Sequence, residues 1–217
     1  MARMEPIQVD APDLKEAIRG KYDAIAPRYD WVLGLPEWLG LRRLRRDLLR
    51  TARGRVLEVA VGTGRNLAHY PRGCELTGVD FSPEMMEQAA RRARHLRRPV
   101  ELRLMDAEAL DFPDASFDTV VCTLAACTFP HPITAFREMG RVLRPDGRVL
   151  VLEHGFSDRP WLRRWQLGRV ERQFQWLGCR WDREPHLIAQ QGGLELLDLR
   201  RMLLGVLYRM VLRRGAG

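Results

Sequence analysis

The stretch "VLEVAVGTGRNLAHY", Val56–Tyr70, reads as a buried strand that runs into a glycine-containing turn and then, from Arg65 onward, into a helix. Gly62 and Gly64 let the backbone bend sharply and let a ligand come close to it, and free N–H groups at a helix start would face that ligand. A dinucleotide fingerprint G-x-G-x-x-G needs a third glycine at position 67, which is Leu67. The wider E-x-G-x-G-x-G pattern is altered too, because Ala60 stands at its first glycine. If glycine is usual there because backbone and ligand approach closely, this chain tolerates one methyl group at that contact. Taken by itself the turn is also compatible with a purely structural strand-to-helix connection.

Working outward, strands are expected at 55–60, 75–80, 100–106, 117–124 and 147–153, each short and rich in Val, Leu, Ile or Phe. Helical patterns fill the gaps. Ser82 and Pro83 form a start signal for the helix after the second strand, and Pro145 stops another before a Pro-Asp-Gly turn. Five strands separated by helices imply a parallel, doubly wound sheet with right-handed crossovers. Residues 13–50 read as helical with breaks at Pro27 and Gly34–Pro36. Residues 159–191 form a Trp- and Arg-rich helical insert, and the runs 194–200 and 206–213 pair as an antiparallel hairpin. The expected fold is therefore α/β, a seven-stranded, mostly parallel sheet with that hairpin at its C-terminal end and helices on both faces. One domain spans 1–217, with an N-terminal helical lid (1–50), a cofactor-binding core (51–155), a helical substrate cap (156–191) and closing strands (192–217).

At 217 residues with 46% apolar composition, the chain can bury the core of one α/β domain. No apolar run approaches the ~20 residues that cross a bilayer, and the N-terminus lacks the apolar core of a secretory signal. Cys74, Cys122, Cys127 and Cys179 show no CxxC spacing, so they read as reduced thiols of a cytoplasmic protein, with no metal site expected. The formal charge is +8, yet all basic residues except Lys15 and Lys21 are arginines spread along the chain. No aromatic-interleaved basic stripe appears, which argues against nucleic acid. In "LRRLRRDLLR" (Leu41–Arg50), Leu41, Leu44 and Leu48 share a helical face, with Arg42, Arg45, Arg46 and Arg50 around the rest. Such a helix either packs on the domain with a solvated basic rim or touches an anionic membrane surface.

Three acids sharpen the reading of the turn. Glu58 lies inside an apolar strand, Asp80 ends the second strand and Asp106 ends the third. Ligands of such sheets bind beyond the carboxyl ends of the strands, where strand order reverses. Three carboxylates there suit a ribose diol, an exocyclic amine and positive charge, and would repel a pyrophosphate. S-adenosyl-L-methionine has all three features.

"RVLEVAVGTGRNL", "GVDFSPEMMEQA", "MDAEALDFPDASFDTVVCTLAACTF" and "EMGRVLRPDGRVLVLEH" follow one another between Arg55 and His154. In that order they resemble the motifs of class I S-adenosylmethionine-dependent methyltransferases, whose fold is Rossmann-like. "YDAIAPRYD" (Tyr22–Asp30) is similar to the N-terminal lid of quinone and phospholipid methyltransferases. "VCTLAACTF", "VLEHG" and "LGCRWDRE" resemble the methyltransferase-like 7 group of small-thiol methyltransferases, without that group's hydrophobic N-terminal anchor. The resemblance implies that Glu58, Ala60, Gly62 and Gly64 frame the methionine part, with Thr63 and Asn66 donating hydrogen bonds. It implies that Asp80 accepts from both ribose hydroxyls, Phe81 and Met85 lie near the adenosine, and Asp106 accepts from the adenine amine beside Ala107. Cys122, Thr123 and Leu124 would approach the sulfonium, and Tyr22 and Tyr29 would close the lid.

Methyl transfer is an in-line displacement at an activated carbon, so alignment and desolvation are the protein's main task. A thiol acceptor is partly ionised at neutral pH and needs little help, whereas an amine or quinol carbon must lose a proton. Candidates at the acceptor end are His154, Glu153 and Tyr29, with His154 either a general base or a hydrogen-bonded structural residue. Cys127 reads as a buried small residue, and His131 as a loop or helix-start residue. Asp182 and Arg183 either bind a polar acceptor group or pair with each other. Trp31, Trp38, Trp161, Trp165, Trp176 and Trp181 cluster outside the core and suggest a large apolar pocket or an interface. The implied acceptor is a small lipophilic molecule, a thiol first, with a phospholipid amine or quinone carbon at a membrane surface as the alternative. A non-catalytic binding module retaining the fold is the third reading, and oligomeric state is left open.

Overall fold

β1 spans Arg55–Val59, and every residue after Arg55 in it is buried, as a central strand covered on both faces requires. β2 (Glu75–Asp80) and β4 (Phe117–Thr123) run parallel on either side of it. β3 (Glu101–Leu104) lies outside β2, and β5 (Leu143–His154) outside β4. β7 (Leu207–Arg214) then pairs antiparallel with β5, and β6 (Leu194–Met202) forms the last edge. The order is β3-β2-β1-β4-β5-β7-β6, the expected seven-stranded mixed sheet with its C-terminal hairpin. The computed structural model describes residues 11–32, 34 and 37–215.

Strict alternation along the strands builds two apolar layers. Val149 and Val151 of β5 face α5 (Pro132–Val142) and α8 (Pro185–Gln191), where Phe136, Met139 and Ala189 are fully buried. Leu150 and Leu152 face the other way, against Leu48 and Leu49 of α3 (Arg42–Leu49). Each fully buried aliphatic or aromatic side chain contributes about 1.5–3 kcal/mol, so both faces hold the sheet. α4 (Pro83–Leu96) begins as expected, with the Ser82 hydroxyl accepting from the Met85 N–H at 3.1 Å.

Two expectations need correction. No helix follows Gly64: residues 65–70 form consecutive turns, with Leu67 and His69 N–H groups bonded to the Gly64 and Asn66 carbonyls. Pro71 lacks an N–H and pushes Tyr70 out of helical geometry, leaving too few residues for a costly helix nucleus to propagate. α1 (Ala11–Val32) runs through Pro27 without a break. The proline removes one helical hydrogen bond at a cost of roughly 3 kcal/mol, but Ile18 and Ala26 bury their side chains and α1 packs on α4. The break expected at Gly34–Pro36 falls mostly outside the described residues. α2 (Glu37–Leu41) is a single π-type turn bent at Gly40, whose φ is +127°. In the segment after β5, α6 (Pro160–Leu167) and α7 (Val170–Leu177) supply the expected helical insert together with α8.

Immediately after β1, Ala60 has φ +55°, in the left-handed region. The altered glycine pattern is thereby explained, because a Cβ in that region costs about 1–2 kcal/mol. Ala60→Gly is expected to raise stability by up to about 1 kcal/mol, the relief of strain being partly offset by unfolded-chain entropy. Ala60→Val should lower it by more than about 1 kcal/mol. Urea denaturation of the three proteins measures both changes.

Candidate functional site

A cleft of about 600 Å³, part of it open to solvent, lies beyond the carboxyl ends of β1, β2 and β4, where the strand order reverses. Its floor is Glu58, Ala60, Gly62, Thr63 and Asn66, one wall is Asp80, Phe81 and Met85, and Thr123, Leu124 and Ala125 form the opposite wall. Tyr22 and Tyr29 of α1 and Arg45 of α3 complete it. A neighbouring hollow of about 380 Å³ shares Ala60, Asp80 and Phe81 and continues past Met105, Asp106 and Ala107. The two together have the mixed polar and apolar lining expected for a nucleoside with a charged tail.

Asp80 sits at the junction. Its Oδ2 accepts from the Gly62 N–H at 2.8 Å and its Oδ1 from the Ser82 N–H at 3.0 Å. Burial pushes its pKa up to about 6, against the pull of these backbone donors. Each oxygen retains a lone pair for a hydroxyl donor in the cleft. Nothing stands within 4 Å of a Cβ built on Gly62, so the space above this residue is open to a ligand. Gly64 does a different job from the expected one. A Cβ there would meet Leu67 at 2.9 Å and the Ala89 backbone at 3.2 Å, so this glycine lets the turn pack on α4 and does not line the cleft.

Glu58 is buried and accepts from Asn66 Nδ2 at 2.7 Å and from the Tyr70 hydroxyl at 2.8 Å. Its burial raises its pKa to about 7, the two donors notwithstanding. Asn66 in turn accepts from Arg45 at 3.1 Å, and Arg45 also donates to Thr123 Oγ1 at 2.7 Å and to Glu37 at 2.9 Å. Arg45 is 4% exposed, which overturns its place on a solvated basic rim. The signal was available: Arg45 precedes Leu48 and Leu49 by three and four residues, so all three share the buried face of α3. Thr63 donates to Asp30 at 2.8 Å, and Arg65 and Arg92 pair with the same carboxylate. The end of α1 is thereby fastened over the glycine turn.

Asp106 lies in the second hollow, where Lys15 holds its Oδ2 at 2.6 Å and the Glu108 N–H its Oδ1 at 2.8 Å. Cys122, expected near the sulfonium, is fully buried in the apolar layer under α5. It is the strand's alternation that turns it away and turns Thr123 toward the cleft. Leu124 follows at φ +53° and lines the cleft. His154 and Glu153 do not line it. Glu153 is buried, accepting from the Ala125 N–H at 2.9 Å, and His154 Nε2 lies 3.0 Å from Cys179 Sγ. Burial opposes charge on His154, but the neighbouring Cys179 sulfur raises its pKa to about 9. A hydrogen bond from Cys127 leads the effects that hold the Cys179 thiol below its ordinary value. Asp182 pairs with Arg180 at 2.7 Å, not with Arg183, whose guanidinium donates to the Ala126 carbonyl at 2.7 Å.

The tryptophans do not wall the cleft. Trp31 is 85% exposed, Trp38 81% and Trp176 71%, while Trp165 and Trp181 pack against each other at 5.5 Å. Apart from Trp181, which follows α7 and donates its indole N–H to the Gln166 carbonyl, their chemistry belongs to the outer surface of α1, α2, α6 and α7.

Residues 57–151 match the family described as "Methyltransferase domain". A phosphatidylethanolamine N-methyltransferase of Cereibacter sphaeroides is 45% identical over 108 residues, 49% of this chain and 53% of that protein. A demethylmenaquinone methyltransferase of Deinococcus radiodurans is 36% identical over 159 residues, 70% of this chain and 66% of that protein. Among solved structures, YcgJ of Bacillus subtilis superposes with a TM-score of 0.65 at 21% identity, over 82% of this chain and 99% of that one, which shows the fold alone. The chain spans roughly half to two thirds of the length of these curated relatives.

Two outcomes follow from the geometry. Affinity for an adenosine-containing ligand should fall as pH drops below about 6, because Asp80 takes a proton and becomes a weaker acceptor; in calorimetric titration across pH 5–8, Asp80→Asn is expected to lose the fall below about 6 and keep only the part near 7 that Glu58 carries. Arg45→Ala leaves Glu37 buried without its partner and should cost about 3–5 kcal/mol of stability. Arg45→Ala combined with Glu37→Ala should recover part of that loss in the same denaturation measurement.

Proposed function

We propose that this chain, a member of the class I S-adenosylmethionine-dependent methyltransferases, transfers the cofactor's methyl group to a lipophilic acceptor held at a membrane surface, a phospholipid amine or a quinol carbon. The observation that carries the acceptor class is the agreement of the two relatives, whose names specify a phospholipid amine and a menaquinone precursor. The thiol acceptor expected from the C-terminal motifs has no such support.

The residues present suit the cofactor. Asp80 would hold the ribose, and Phe81, Ala107 and Asp106 would surround the adenine. The cleft lining includes Glu58 together with Arg45 and Arg65, charges of both signs that would suit a tail carrying an ammonium and a carboxylate. The bound cofactor supplies an electrophilic methyl group. Binding, orientation and exclusion of water fall to the chain. Tyr29, half-buried and with its phenol pKa raised by desolvation, stays protonated and would serve as a donor at the mouth of the cleft. His154 and Glu153 stand behind Ala125, so any part they take in removing the acceptor's proton passes through the Leu124–Phe129 loop.

Surface contact with lipid is supported by the exposed tryptophans. α1 and α7 pack together beside the cleft, with Lys21 donating to the Gln175 carbonyl, and both present Trp side chains outward. Tryptophan suits the headgroup boundary, and exposed Arg42, Arg43 and Arg46 on α3 would add attraction to anionic lipid. No helix among the described residues is long and apolar enough to cross a membrane, so the contact proposed is peripheral.

The test is radiolabelled methyl transfer to phosphatidylethanolamine liposomes, to liposomes carrying a demethylated quinol, and to small thiols in solution. Transfer to one of the two lipid acceptors is expected, and exclusive transfer to thiols overturns the reading. Trp31→Ser with Trp176→Ser should reduce co-sedimentation with anionic liposomes while leaving cofactor affinity unchanged.

A further inference from the structure

We propose that Cys127, His154 and Cys179 form a site for one soft divalent cation of the zinc class, which ties the segment between α7 and α8 to the carboxyl ends of β4 and β5. The ligand atoms of the three residues all lie within 4.8 Å of one another, and Cys179 Sγ is 3.0 Å from His154 Nε2. Tetrahedral zinc, with metal–sulfur bonds of ~2.3 Å and metal–nitrogen bonds of ~2.0 Å, needs its ligand atoms roughly 3.5–4 Å apart. Shifts of about 1 Å therefore complete half of a familiar coordination shell and one imidazole.

The surroundings hold the three segments together without an ion. Arg180 donates its backbone N–H to the Cys127 carbonyl at 3.0 Å, and Arg183 donates its side chain to the Ala126 carbonyl at 2.7 Å. The Phe156 N–H, two residues past His154, donates to the Arg183 carbonyl at 2.9 Å. These bonds cross between the loop after β4, the end of β5 and the segment after α7, so the ligands are preset in position and binding has little ordering to impose. Both sulfurs are buried and His154 is half-buried.

Ligand chemistry chooses the ion. Two thiolates and an imidazole are soft and borderline donors that select zinc over magnesium or calcium, which take oxygen ligands. Two thiolates also neutralise a divalent charge, so the loaded site is uncharged and its burial is inexpensive. Loading displaces to solvent the protons that the thiols and the imidazole still carry. Glu153 Oε1 lies 3.9 Å from His154 Nε2 and already accepts the His154 backbone N–H, which leaves the fourth position to water. The other two cysteines make a useful contrast. Cys74 donates to the Ala52 carbonyl, and Cys122 lies in the apolar layer.

The experiment uses the full chain, stripped with a chelator and titrated with Co²⁺ and then Zn²⁺. One cobalt per chain is expected, with tetrahedral d–d bands and a thiolate-to-cobalt charge-transfer band that zinc abolishes. Cys127→Ser and Cys179→Ser should lose the charge-transfer band, whereas Cys74→Ser keeps it; cofactor binding reports that each variant is folded. Should the serine variants fail to fold, alkylation of the unaltered chain decides, because zinc should protect Cys127 and Cys179 and leave the labelling of Cys74 unchanged. Absence of the band, its persistence in both serine variants, no protection by zinc, or recovery of the freshly purified chain with Cys127 and Cys179 joined as a disulfide would overturn the proposal.

Discussion

The guanidinium of Arg45 is the constraint around which the cleft is organised. A cation taken out of water carries a desolvation penalty of several kcal/mol, which is offset only when its donors are met. Here Glu37, Asn66 and Thr123 meet them from α2, the glycine turn and β4. Asn66 spends its amide on Glu58 and Thr123, and Glu58 takes its second hydrogen bond from Tyr70. Four chain segments are thus fixed by one closed polar network. A half-satisfied version would cost more than an apolar floor, so the network specifies a single arrangement of the turn.

That network also explains what the sequence could and could not disclose. The sheet was legible because Val, Leu and Ile runs of strand length alternate with helical stretches, and the hairpin because two apolar runs flank Gly205. Asp80 was legible because an acid at the carboxyl end of a parallel strand faces the crevice. The burial of Arg45 was legible in its spacing to Leu48 and Leu49, but its partners were hidden, since nothing local shows that Glu37 and Thr123 wait for it across the fold. Cys122 and Thr123 were grouped by adjacency, but neighbours in a strand point to opposite faces. The tryptophans were placed inside by their bulk, yet Trp161 on α6 and Trp176 on α7 stand on faces open to solvent, 62% and 71% exposed.

The N-terminal helix adds a second, looser constraint. Asp30 gathers Thr63, Arg65 and Arg92, while Asp23 takes the Ser82 hydroxyl and Lys15 bridges Asp106 and Glu108. These ties run along one helix and cross both hollows. Most are part-exposed ion pairs, individually worth about 1 kcal/mol or less. A cover held by several weak bonds can open without disturbing the sheet, whereas the Arg45 network cannot be broken piecemeal. Entry of a ligand therefore calls for movement of α1 and not of the cleft floor.

The two buried acids give the cleft a built-in bias toward positive ligands. Burial raises Asp80 to about 6 and Glu58 to about 7, so the folded chain binds protons more tightly at both sites than the unfolded chain does. For a carboxyl raised in this way, the folded state is favoured at low pH, and that advantage is lost as pH climbs through the window between the ordinary and the raised value. At neutral pH Asp80 is charged and Glu58 is divided between its forms, so the chain retains an electrostatic penalty in the fold. A cation entering the cleft favours the ionised carboxylates and lowers both pKa values again. By linkage, what the ligand relieves in the protein returns as affinity for the ligand, and the same carboxylates that weaken the empty cleft strengthen the filled one.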